Sequence, residues 1–381
     1  MHDSLGFLFL GDFAPSVDQQ NHLLKSGHDF LGGLKDDIGV DHVVINLEAP
    51  ITAGKTPSRK VGPSLSLSPS IVEALRAAGI SIASLANNHI RDYGKEGILD
   101  TIKALESVDI LSVGAGASLS EAEETLCLRT DKGPGLDIGI IAVAEREFNI
   151  ATSEEAGAAP LDPVDTARAI STLKRKNKHV IVLVHGGLEH TPYPPAHLRK
   201  SCQFFIEQGA GAVICSHTHV PGCFEEYQGG FICYGLGNVL MRQRPDKSDW
   251  DFGYAVLLQF GPDGISGYKI KPYVIDHGRM SIHQLEDTDK DKFLLKLERQ
   301  NEVLKDPLKL KKELDDMYSR KQAALVSLFA PKFLRILSRL PGGEGLLLKM
   351  FQDNLLGKLN MIQNPSHREV LLSNLNSIFR S

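Results

Sequence analysis

The sequence predicts an α/β fold with a helical extension, on three observations. From the start to about residue 284, short β-rich runs alternate with turns and helical windows. The early runs are continuously apolar instead of alternating, the pattern of parallel strands buried on both faces. From about residue 285 strand signals stop and helical periodicity takes over.

Taken in order, the strand runs are residues 7–10, 42–46, 80–85, 110–113, 138–143, 179–184 and 212–215. Helical windows at 71–78, 97–107, 163–176 and 196–208 separate several of them. Past residue 215 the runs 224–227, 231–234, 253–260 and 265–274 follow one another with few helical windows, so they predict added antiparallel strands. In the last stretch Pro307, Pro331, Pro341 and Pro365 divide the periodic windows 293–297, 308–317, 325–340 and 346–359 into separate helices. Residues 1–284 read as one domain and 285–381 as a helical C-terminal extension. That extension carries 17 Lys/Arg against 13 Asp/Glu from residue 286 on, a net +4 on a chain whose total is −5.

The 381 residues are 42% hydrophobic and 23% charged, ordinary for a globular chain long enough to bury its own core. The pI of about 6.3 and the absence of a chain-wide basic footprint argue against nucleic acid as partner. No apolar run reaches the ~18–20 residues of a membrane span. The start, Phe7-Leu8-Phe9-Leu10 then Asp12, has no basic region and is too short for a signal peptide. Five cysteines, an odd number without CxxC spacing, read as small buried apolar residues of a reducing, cytoplasmic compartment.

The chemistry lies where the strand runs stop. One ends in Asp12, the next in Asn46-Leu47-Glu48, a third in Asn87-Asn88-His89. The run 179–184 ends in His185, and 212–215 leads to His217 and His219. Ligands of open α/β sheets bind outside the carboxyl ends of the strands, so five such endings point to one shared site. A lone His after a strand is by default a hydrogen-bonded loop residue; the repetition argues otherwise. Carboxylate, amide oxygen and imidazole suit Mn, Fe, Zn, Ni or Mg. On an extended segment His217 and His219 point to opposite faces, where they reach two ions better than one. Glu48 has two oxygens with which to bridge such a pair. Two ions ~3.5–4 Å apart generate hydroxide at neutral pH and clamp an in-line displacement at phosphorus.

These segments, with His185-Gly-Gly-Leu-Glu189 and Tyr234-Gly-Leu-Gly237-Asn238, closely resemble the CapA/PgsA-type bacterial capsule and poly-γ-glutamate synthesis proteins. That family is a branch of the calcineurin-like metallophosphoesterases. The resemblance covers roughly residues 4–278; Asn87-Asn88-His89-x-x-Asp92-Tyr93-Gly94 is its most specific piece. It implies a metallophosphoesterase-like αββα sandwich with divalent metal at the strand ends. Carried over residue by residue, Asp12 and His219 would hold a first ion, Asn88, His185 and His217 a second, and Glu48 would bridge. His89 would protonate the leaving group or stabilise developing charge, Asn238 would lie in a loop at the rim, and Glu189 near the second ion or the substrate. The superfamily's first motif, Asp-x-His, reads Asp12-Phe13-Ala14 here. That departure leaves a one-ion site open beside the two-ion one. No stretch of the sequence reads as the membrane anchor common in capsule-assembly relatives, so a surface role in capsule assembly is not the expectation.

Other features have plainer readings. Gly114-Ala115-Gly116 lacks the third glycine of a dinucleotide fingerprint and reads as a tight turn. The run from His185 to His190 is one residue too long for an HxxEH zinc motif. Glu145 and Arg146 follow a strand run and are candidates for substrate contact, against a surface ion pair. Asp92 is placed to orient His89, though a local turn bond serves equally. Lys55, Arg59 and Lys60 lie in a Gly/Pro/Ser-rich loop, by default solvated, otherwise facing an anionic substrate. Basic amphipathic stretches at 318–329 and 332–340 read as a packed helical cap or a peripheral membrane contact. The sequence thus predicts a metal-dependent hydrolase acting on a phosphate ester, or a related ester or amide, through metal-bound hydroxide. The alternative is a non-catalytic factor that binds an anionic capsule polymer such as poly-γ-glutamate.

Overall fold

A computed structural model describes residues 4–329 except 27–29, 37–38, 61, 131–135, 148, 177–178, 243, 245 and 247–248; for 319–329 it describes the backbone alone. Two compact units divide at Asp306.

The first unit is an αββα sandwich. One sheet has eight strands in the order Ser281–Gln284, Gly264–Asp276, Phe252–Gly261, Leu5–Ala14, His42–Leu47, Ile82–Ser84 and Leu111–Val113, with Asn238–Met241 pairing beside the end of Leu5–Ala14. The other has six, in the order Phe224–Tyr227, Gly230–Cys233, Ala212–Ser216, His179–His185, Ile138–Ala144 and Leu126–Leu128. Phe9, Val44 and Ile45 of the first sheet and Leu183, Val184 and Ile214 of the second line one small internal cavity, so the sheets pack face to face. Helices Pro163–Lys174 and Ala196–Glu207 cover the six-stranded sheet. Ile71 and Leu75 of Ile71–Ala77, with Ile98 and Leu105 of Gly94–Glu106, join the common core.

Local chemistry explains these elements. Asp162 caps Pro163–Lys174 by accepting from the amides of Val164 and Asp165, and Pro163 enters at the first turn, where its missing N–H costs nothing. The strand His179–His185 is buried at every position, as its unbroken apolar run requires. The late strands divide between the sheets: Gly230–Cys233 joins the six-stranded sheet parallel, not antiparallel, to Ala212–Ser216, with Phe224–Tyr227 antiparallel beside it, and the long antiparallel pair Phe252–Gly261 and Gly264–Asp276 extends the other.

Pairing direction positions the site. Leu5–Ala14, His42–Leu47 and Ile82–Ser84 are parallel neighbours, as are His179–His185 and Ala212–Ser216. Their carboxyl ends therefore emerge together at one end of the sandwich. Gly11 makes one close approach possible there. The Asp12 amide donates to Gly237 O at 3.1 Å, and a Cβ on Gly11 would lie 1.8 Å from that oxygen. Gly11→Ala is expected to destabilise the protein by ~1–3 kcal/mol, the usual range for overpacking. An unchanged urea midpoint would show that the loop carrying Gly237 yields freely.

The texture change near residue 285 coincides with the start of helix Asp287–Lys305, but the compact unit runs on to Asp306. Leu297 is buried in the core, Phe293 lies edge-on to Tyr254, and Asn301 Oδ1 accepts from the Phe224 amide at 2.9 Å. In the second unit the described element is helix Pro307–Phe329. The windows expected beyond residue 329, Pro331, Pro341 and Pro365 among them, lie outside the described residues. Among the described residues no helix is long and apolar enough to cross a membrane. Four of the cysteines are buried free thiols; Cys127 is exposed.

Candidate metal centre

Asp12 stands in register with Asn46 on the neighbouring parallel strand. Its Oδ1 accepts from Asn46 Nδ2 at 2.7 Å, and its carboxylate faces the His217 amide at 3.2–3.3 Å. His219 Nδ1 lies 3.2 Å from Asp12 Oδ2 and 3.0 Å from Asn238 Oδ1. Both partners are acceptors, so Nδ1 carries a proton, and Nε2 faces Glu48 Oε1 at 3.6 Å. His185 Nε2 is 3.7 Å from the same oxygen and 3.1 Å from Asn88 Oδ1. Its Nδ1 receives Asn46 Nδ2 at 3.2 Å, so one amide group braces both Asp12 and His185. The His217 ring lies 4.7 Å from that of His185. The structure thus brings Asp12, Glu48, Asn88, His185, His217 and His219 to one place.

One expectation fails in its detail. His217 and His219 are not on an extended segment with opposed rings. The chain bends after Ala212–Ser216, with φ of 99° at His217 and 57° at His219. Left-handed backbone at non-glycine residues costs ~1–3 kcal/mol and persists only where the surroundings hold it. Here the His217 amide is held by Asp12, and His219 by Asn238 and by the Trp250 ring at 4.9 Å. The bend turns both rings toward Glu48, with centroids 6.1 Å apart.

Glu48 is fully buried, and among the described residues neither carboxylate oxygen has a hydrogen-bond donor. Asn46 Oδ1 and His217 Nδ1 are likewise buried without a partner. Burial pushes the Glu48 carboxyl well above the ordinary range, against the pull of His219. Burial also opposes charge on His219, yet Glu48 and Asp12 outweigh it and push the ring up to about 10. His185, in contrast, is held well below the usual imidazole value by burial and by the neighbouring rings of His217 and His219. Such a buried carboxylate among imidazoles is a costly arrangement unless a cation completes it. The donors fit a divalent ion: Glu48, His217 and His219 have ligand atoms within 4.8 Å of one another, as do Asp12, Glu48 and His185. Glu48 belongs to both sets, the position a bridging carboxylate needs.

A second cluster borders the first. His89 Nδ1 is 2.6 Å from Asp92 Oδ2, which also accepts from the Leu65 amide at 2.7 Å. Lys60 pairs with Asp92 Oδ1 through a side chain only 8% exposed. The default of a solvated loop therefore does not hold for Lys60. The segment is held from beneath by Asn87, whose Nδ2 donates to Leu47 O at 2.8 Å and whose Oδ1 accepts from the His89 amide at 3.1 Å.

The proposed substrate contacts separate. Glu189 is half exposed, near enough for its charge to act on Glu48, His217 and His219. Glu145 bonds His197 at 2.7 Å and the Gly187 amide at 3.0 Å, bracing the turn after His185. Those partners hold its carboxyl below the ordinary range despite burial. Arg146 is exposed and acts on Glu123; the structure does not bring it into the cluster. Asn238 is not a rim residue. It is fully buried, and its amide is spent on His219 and on Trp250 O. Sequence reasoning gave no role to Asn46 or Trp250. Asn46 stood beside Glu48 at a strand end, a readable signal; the packing of Trp250 on His219 had none.

Residues 7–243 match the model of the bacterial capsule synthesis protein PGA_cap family. The chain belongs to this family. Within it, the chain is 30% identical over 212 residues to the capsule biosynthesis protein CapA of Bacillus anthracis, covering 53% of this chain and 51% of that protein. It is 30% identical over 247 residues to the PGA biosynthesis protein CapA of Bacillus subtilis, covering 63% and 64%. The chain therefore spans between half and two thirds of the length of these relatives. Among solved structures it is similar to the Thermus thermophilus sulfate thiohydrolase SoxB, with a TM-score of 0.42 and 14% identity over 74% of this chain and 46% of that one. That likeness is too distant to bear on chemistry. All the candidate ligands fall inside the family match.

Proposed function

We propose that this chain is a metal-dependent hydrolase of the metallophosphoesterase type, acting on a phosphate ester. The observation that carries the reading is Glu48, buried with no hydrogen bond on either oxygen and surrounded by His185, His217 and His219. A divalent ion bound there supplies Lewis-acid charge to the oxygens on phosphorus as negative charge develops. Asp12, Glu48, Asn88, His185, His217 and His219 would hold one such ion or two. Asn46 and Asn238 keep Asp12, His185 and His219 in place. His89 donates its Nδ1–H in a hydrogen bond to Asp92, whose charge favours the doubly protonated ring; in that form Nε2–H would be the proton passed to the departing oxygen.

The test is hydrolysis of a phosphodiester and a phosphomonoester by the purified chain with Mn²⁺ or Zn²⁺. Turnover that needs the ion and is lost in His217→Ala is expected; no turnover with any ion defeats the reading. Binding also stabilises the fold by mass action. A free ion concentration one hundred times Kd is expected to add ~2.7 kcal/mol, seen as a rise in melting temperature that EDTA reverses.

A second reading has its own support. The relatives are named for capsule or PGA biosynthesis, and Ala14 stands where the wider superfamily places a ligand. On this reading the site binds an anionic polymer without turning it over. Calorimetry with poly-γ-glutamate separates the two: saturable binding without product, lost in His185→Ala, selects the binding factor.

A further inference from the structure

The loop that follows Glu48 leaves regular structure at Thr52 and returns to it at Leu67. Between those points it wraps the turn that carries His89 and Asp92. The Ser58 amide donates to Asp92 O at 2.8 Å, and Ser58 Oγ donates to Arg91 O at 3.0 Å. The Leu65 amide donates to Asp92 Oδ2 at 2.7 Å, and Lys60 reaches in to Asp92 Oδ1. The same ammonium stands 3.1 Å from His89 Nδ1. Lysine has only donors, and His89 Nδ1 already faces an acceptor at 2.6 Å, so Nδ1–H donates to Asp92 and the ammonium bonds the carboxylate alone.

Asp92 is thus a hub, 1% exposed, with one oxygen shared by His89 and a backbone amide and the other held by Lys60. A carboxylate this buried, fixed in only one place, can turn about its last bond. Fixed at both oxygens, it presents one lone pair to His89 in one direction.

We propose that Lys60 is a positioning residue for His89, acting through Asp92: it locks the carboxylate that orients the imidazole. This rests on the hydrolase reading for its catalytic consequence, though not for its geometry. It assigns Lys60 to the side of His89 away from the proton it delivers, and so not to substrate binding.

The experiment uses the full chain loaded with the ion that supports hydrolysis, with Lys60→Met, Lys60→Gln and Lys60→Arg. Lys60→Met is expected to lower kcat ~10–100-fold, a part of the ~10²–10⁴-fold worth of a general acid, with KM within about two-fold and metal content unchanged. Lys60→Arg restores part of the loss. Lys60→Gln, which keeps a donor for Asp92, serves if Lys60→Met does not fold, and is expected to fall between. An unchanged kcat, a loss carried by KM, or a lost ion each overturns the proposal.

A second readout does not need turnover. The His89 imidazole is expected to show one sharp Nδ1–H resonance in nitrogen-15 spectra of the wild type, broadened or lost in Lys60→Met. The same sharp resonance in both proteins overturns the proposal even where wild-type hydrolysis is absent, an absence that itself counts only against the hydrolase reading.

Discussion

Glu48→Gln is expected to make the metal-free protein more stable and to abolish its response to divalent ions. Without an ion, Glu48 is a buried carboxylate that accepts no hydrogen bond. The imidazole nitrogens that face it, His185 Nε2 and His219 Nε2, lie at 3.7 and 3.6 Å, too far for a good bond. Replacing a carboxyl that burial already holds well above its ordinary range by a neutral amide of like shape removes the desolvation penalty of the ion, up to ~3 kcal/mol. With the ion, the same change removes the only side chain common to both ligand sets. Affinity is expected to fall by more than the ~10–100-fold cost of losing a mere supporting residue. The melting curves of wild type and variant should therefore cross: variant above wild type in EDTA, below it in excess Mn²⁺ or Zn²⁺. A variant destabilised under both conditions would mean that Glu48 is held by structure and not poised for a cation.

His89→Ala is expected to lower hydrolysis ~10²–10⁴-fold while leaving bound metal and melting temperature near wild type. The separation follows from geometry. His89 bonds Asp92 and belongs to neither set of ligand atoms around Glu48. Asp92→Asn is expected to reduce turnover in the same direction, since a neutral amide no longer stabilises the doubly protonated ring that an Nε2–H donor requires. Metal content, measured by plasma mass spectrometry beside the rates, decides the matter. Loss of the ion in His89→Ala would make His89 a ligand and leave the proton donor unassigned.

What the sequence made legible was whatever depends on strands and their ends. Asp12, Glu48, Asn88, His185, His217 and His219 each follow an apolar run, and parallel pairing carries those ends to one place. The details that failed depend on backbone and packing at longer range. An extended reading of His217 and His219 could not foresee two left-handed residues, because nothing in His-Thr-His demands positive φ; Asp12 and Asn238 impose it from elsewhere in the chain. The family resemblance places Asn238 at the rim, yet it begins a buried strand beside Leu5–Ala14. Lys60 sat among Gly, Pro and Ser, where solvent is the usual neighbour; the partner that draws it inward lies 32 residues away. Helix Asp287–Lys305 shows a broken apolar stripe, so its membership of the first unit rests on a few contacts such as Phe293 and Leu297 that composition does not reveal.

All of these expectations require that the pocket around Glu48 hold a cation. An anomalous difference map from crystals grown with Mn²⁺ or Zn²⁺, recorded at the metal's absorption edge, tests that directly. The account predicts a peak ~2.0–2.2 Å from Glu48 oxygen and from imidazole nitrogen of His185, His217 or His219. A map with no peak in that pocket, or with its only peaks on surface carboxylates, would contradict it.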